Sequence, residues 1–70
     1  MADLDEFGTE FPHEIGRVAK RELAANGFVR YDQLTGVSRR QLLAIHGIGQ
    51  KSVRILGDEL TRRGMSFADS

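Results

Sequence analysis

Two glycines set one residue apart, in His46-Gly47-Ile48-Gly49, stand between two stretches of helical period. Upstream, Ser38-Arg39-Arg40-Gln41 is a capping box: the Ser hydroxyl accepts from the amide three residues on, and the Gln side chain reaches back to the Ser amide. The brief helix it opens carries Leu42, Leu43 and Ile45. Downstream, Gln50 to Arg63 is the longest helical stretch, with Val53, Leu56 and Leu60 facing inward and Gly64 as its stop. Glycine accepts backbone angles that other residues resist. The chain must therefore bend sharply between these helices, with Ile48 turned inward to pin the bend to the core. Gly57 lies inside the long helix, where glycine costs about 1 kcal/mol relative to Ala. Close packing is the expected reason.

The rest of the chain extends the same pattern. From Pro12, a residue favoured near helix starts, the positions Ile15, Val18, Ala19, Glu22 and Leu23 line one helical face, and Asn26-Gly27 ends the run. A short helical turn is expected at Tyr31–Leu34, stopping at Gly36. Met65 and Phe67 are expected to close over the core, and residues 68–70 to fray. No stretch alternates with period two, so no sheet is expected. The fold expected is all-α: one domain over residues 12–68, a compact bundle of four to five short helices. A chain of 70 residues buries only about 60% of the surface its unfolded form exposes. It has no cysteine, so close helix packing must suffice without disulfide or thiolate help.

Charge is distributed unevenly. Residues 1–14 hold five acidic groups and no Lys or Arg, whereas residues 15–70 hold all ten basic groups against five acidic ones. A leader of −5 thus precedes a body of +5, an asymmetry that points towards a polyanionic partner. A solvated leader on an ordinary charged surface is the plainer alternative. Residues 1–11 read as a mobile acidic leader, with Phe7 and Phe11 as exceptions expected to fold back onto the helices. Lying over the body, the leader would compete with a polyanion, and deleting residues 1–10 would tighten binding. No apolar run approaches the ~18 residues a membrane span needs, and the acidic start lacks the layout of an export signal. Membrane association is not expected, and the cytoplasm is the expected location.

The glycine bend also has chemistry to offer. Gly49 sits where the long helix starts, several amides lack partners there, and the macrodipole is positive. Such amides form an anion site, and Lys51 and Ser52 add an ammonium and a hydroxyl beside it. Each feature has a structural alternative: Gly47 and Gly49 serve many turns, Ser52 caps helices and Lys51 solvates them. A nucleotide-binding P-loop is excluded, because Gln50 separates Gly49 from Lys51, position 44 is Ala and no strand precedes. His13 and His46 lack companions at metal-ligand spacing. No nucleophile stands with a base, and little room is expected for the ~300 Å3 pocket of a small-molecule site. No enzyme activity, cofactor or small-molecule substrate is expected.

The string Ile48-Gly49-Gln50-Lys51-Ser52, with Leu42-Leu43 before it and Arg63-Gly64-Met65-Ser66-Phe67 after it, resembles the C-terminal domain of the bacterial RNA polymerase α subunit. More broadly, the bend resembles the helix-hairpin-helix turn of many DNA-binding and repair proteins. The likeness spans roughly residues 14–67 and includes the Leu23 face and the Tyr31–Leu34 turn. It implies a SAM-like helical fold and weak, salt-dependent binding of double-stranded DNA across the minor groove, in a freestanding, transcription-related relative. Gly49, Lys51 and Ser52 match the family's backbone-contacting positions. In the first helix, Val18 and Arg21 stand where the family has an Arg and an Asn, so backbone binding is expected rather than sequence readout. The expected DNA-contacting set is Gly47, Gly49, Gln50, Lys51, Ser52 and Arg54, with Arg17, Lys20 and Arg21 from the first helix. The plainer reading of those four cations outside the bend is that they keep the domain soluble. A protein-interaction adaptor on the same fold, with a protein partner, is the alternative.

Overall fold

A computed structural model describes residues 4–69 of the chain, and every regular element among them is helical. In order these are a 3-10 turn at His13–Ile15, α1 at Arg17–Ala25, a 3-10 helix at Tyr31–Gly36, α2 at Arg39–Leu43 and α3 at Gln50–Arg62. The all-α bundle of short helices is thus as expected. Its first helix starts later than the apolar pattern suggests. Gly16 takes φ 93° and ψ 152°, a conformation that L side chains resist, and this separates Ile15 from α1. The capping box at Ser38 forms: Ser38 Oγ accepts from the Gln41 amide at 3.1 Å, and Gln41 Oε1 accepts from the Ser38 amide at 2.8 Å.

One core joins all these elements. Ile15, Ala19, Leu23, Leu34, Val37, Leu42, Val53, Leu56 and Leu60 belong to one buried apolar cluster. Ile48 is buried and pins the α2–α3 bend as expected. Phe67 closes over α3, and Gly57 explains itself there. A Cβ at Gly57 would lie 3.2 Å from Phe67 Cε2, so the helix gives up a methyl to admit the ring. Residues 68 and 69 are also held, because the Ala68 amide donates to Val37 O at 3.0 Å and Asp69 pairs with Arg39 at 3.4 Å.

Residues 4–11 are not the mobile leader expected from their composition. Thr9 is fully buried, and Phe11 is buried edge-on against Tyr31 with ring centroids 5.1 Å apart. The Asp5 carboxylate folds the segment by accepting from the Phe7 and Thr9 amides, both at 2.9 Å, and from the Thr9 hydroxyl at 2.5 Å. Glu10 Oε1 accepts from the Tyr31 amide at 2.8 Å, satisfying a helix-start donor 21 residues away. A small bundle lacks apolar surface of its own, and this segment supplies part of what is missing. Residues 1–3 of the expected leader lie outside the described residues.

Arg63 covers the Tyr31 ring, its guanidinium 4.1 Å from the ring centroid. Burial and the nearby Glu59 push the Tyr31 phenol up, and Arg63 offsets only part of this, leaving it at about 12. Arg39 covers the Phe67 ring in the same way at 5.2 Å. Both arginines sit near helix ends, where solvation is the usual outcome. Here they are packed against aromatic rings.

Candidate functional site

The bend and the start of α1 are neighbours. Gly47 has φ 90°, and a Cβ there would meet Val18 Cγ1 at 2.8 Å and Glu22 Cγ at 3.1 Å. Gly47 therefore lets the bend pack on α1, and its place needs no ligand to explain it. Gly49 differs. Its φ is −101°, which any residue can adopt, and nothing lies within 4 Å of the position its Cβ would occupy. It is the N-cap of α3, a position where Ser, Thr, Asp and Asn usually satisfy the free amides, yet it offers no side chain. The amides of Gly49, Gln50 and Lys51 donate to no acceptor among the described residues. They form an exposed row of donors at the positive end of a 13-residue helix.

Ser52 does not complete that row. Its hydroxyl is buried and donates to Ile15 O at 2.8 Å, tying α3 to the turn before α1. This removes it from the set of side chains able to reach a phosphate, and it is also not a cap for its own helix. Lys20 is withdrawn as well. Its ammonium lies 3.1 Å from Asp5 Oδ2, with the two side chains 11% and 19% exposed. The sequence hid this pairing because Asp5 sat in a segment expected to be mobile.

Arg17 is exposed and held by Glu6: Nε lies 2.7 Å from Oε1 and Nη2 lies 3.0 Å from Oε2. Its guanidinium also stands 5.7 Å from the Phe7 ring centroid. Arg21 is exposed beside Glu22 at 3.5 Å, a loose pairing between chain neighbours. Arg30, Arg39, Arg62 and Arg63 pair with Asp32, Asp69 and Glu59. Among the described residues, Arg40, Lys51 and Arg54 are the cations with no carboxylate partner. Lys51 and Arg54, both exposed, lie on the first two turns of α3 beside the bare amides.

Two surface grooves of about 300 and 310 Å3 exceed the room expected of so short a chain. The first runs between α2 and α3, bordered by Arg39, Leu43, Gln50 and Arg54, with Leu43 40% exposed. The second lies between the leader and α1, bordered by Glu6, Phe7, His13 and Arg17. No group of three or more His, Asp or Glu among the described residues is placed to hold a metal ion, and no helix there is long and apolar enough to cross a membrane. Comparison of the chain with protein-family models, curated proteins and solved structures found no match.

Proposed function

We propose that this chain is a non-enzymatic DNA-binding module of helix-hairpin-helix type, akin to the polymerase α C-terminal domain, that grips the phosphate backbone at the start of α3. The supporting observation is the coincidence of three features at one place. The α3 amides stand free, the N-cap carries no side chain to cover them, and Lys51 and Arg54 are exposed without carboxylate partners among the described residues. Elsewhere in the molecule most cations are already matched to acids. A phosphodiester set on the Gly49–Lys51 amides would meet hydrogen-bond donors, a helix dipole and two free charges together. Arg21 on α1 adds a third charge on the element against which the bend packs. These contacts read charge and spacing, not base edges, so the binding is weak and indifferent to sequence.

Three neutralised phosphates give a log affinity that falls with log salt at a slope near −2.7, with Kd around 10⁻⁴–10⁻⁶ M at physiological salt. The test is an NMR titration with a short mixed-sequence duplex at low and high salt. Shifts should gather on residues 47–54 and vanish at high salt. Lys51→Gln should flatten the slope by about 0.9 and leave the fold intact. An unchanged slope in that variant refutes the assignment.

The exposed Leu43 at the edge of the α2–α3 groove favours a second reading, a protein-interaction adaptor. Binding of that kind would map to Leu43 and its surroundings and would persist when polyphosphate is added as competitor.

A further inference from the structure

We propose that Glu6 is an internal phosphate mimic, holding Arg17 until a DNA phosphate replaces it. The proposal rests on the DNA reading above and adds a regulatory contact to it. Arg17 opens α1 one residue after Gly16, and the neighbouring Ile15 carbonyl receives the Ser52 hydroxyl of α3. Arg17 therefore stands at the start of the element that adjoins the bend. Its guanidinium is engaged edge-on by both Glu6 oxygens, at 2.7 and 3.0 Å. This is the geometry in which guanidinium takes either a carboxylate or a phosphate.

The two leader contacts differ in kind. Asp5 and Lys20 are enclosed and sit in a web of Asp5 hydrogen bonds to Phe7 and Thr9. Glu6 and Arg17 are 57% and 75% exposed, and Glu6 takes no other hydrogen bond among the described residues. Exposed pairs of this type contribute little stability and are screened by salt. Their exchange for a polyanion costs little, whereas the Asp5–Lys20 pair stays closed. The leader is therefore anchored by one contact and gated by the next. This replaces the diffuse competition that charge asymmetry alone suggests with a single pair of residues.

The test compares full-length wild type, Glu6→Gln, Arg17→Gln and the double variant, by fluorescence anisotropy with a short labelled duplex across a salt series. Freeing Arg17 should tighten binding roughly two- to fivefold at low salt, the scale on which an exposed ion pair competes. The slope itself should stay as in wild type, because Arg17 meets a phosphate in both complexes, and Arg17→Gln should flatten it by about 0.9. Glu6→Gln in the Arg17→Gln background should then change nothing. A gain that persists in that background comes from net charge alone and overturns the proposal. Equal affinity for Glu6→Gln and wild type, while Lys51→Gln still flattens the slope, overturns the proposal and leaves the DNA reading standing. If wild type shows no salt-dependent binding that Lys51→Gln weakens, the DNA reading falls, and this contact falls with it.

Discussion

The two lysines of this chain carry the same charge into opposite surroundings. Lys51 stands exposed beside free amides, while Lys20 is enclosed with Asp5. Removing one member of an enclosed pair leaves the other charge without compensation. A fully buried pair loses 3–5 kcal/mol this way; here both groups still touch water, and about 1–3 kcal/mol is expected. Lys20→Gln should lower stability by that amount in urea unfolding without flattening the salt slope of DNA binding. A variant as stable as the parent would show that the pair holds nothing together. Asp5 adds a pH dependence. Burial pushes its carboxyl up, but hydrogen bonds from the Thr9 hydroxyl and amide, from Lys20 and from the Phe7 amide together outweigh this and hold it at about 2, against an ordinary 3.8. The folded chain thus binds this proton more weakly than the unfolded chain. The resulting stability, about 1–2 kcal/mol, is fully present above pH 3.8 and is lost as pH falls through about 2. Asp5→Asn should shallow this acid limb of the stability curve, and an identical acid limb in the variant would refute the assignment.

At the scale of elements, α3 starts with a residue poorly suited to stabilising it. Gly49 has the open space and ordinary φ that a capping side chain needs. Gly49→Asp should therefore cap α3 and complement its dipole, raising stability by about 0.5 kcal/mol, or roughly 2–4 °C in a domain of this size. The same carboxylate would occupy the free amides and repel phosphate, so DNA binding should be lost as stability rises. A variant that is stabilised and binds as before would show that the amides hold no anion. Elements whose signals are local were legible in the sequence: the Ser38 box, the Ile48 pin, the α3 face and close packing at Gly57. What was not legible depends on partners far apart in the chain. Ser52 looked like a phosphate or cap residue until its hydroxyl met Ile15 O, 37 residues away. Glu10 looked like leader charge until it met the Tyr31 amide. Only Asp5-Glu6-Phe7-Gly8 gave a local hint, as an acidic turn with glycine at its close.

At the scale of the whole molecule, the acidic leader and basic body are one folding unit rather than two electrostatic halves. A 70-residue domain has about 4–10 kcal/mol of stability in all, at roughly 0.05–0.15 kcal/mol per residue. Deleting residues 1–10 would strip out the Asp5 web, the buried Thr9 and the Glu10 carboxylate that satisfies Tyr31. The enclosed pair alone is worth about 1–3 kcal/mol, and an uncovered buried donor about 1–3 kcal/mol more. Together these approach the total. The truncated chain should melt far below the full-length chain, or show no cooperative transition by circular dichroism. Looser DNA binding by that truncation would reflect lost fold, not lost competition. Single substitution at Glu6 separates the two effects because it leaves every buried contact of the leader in place. If residues 11–70 alone melt cooperatively at the full-length temperature, the leader is dispensable to the fold, and its acids act on the basic face only through their charge.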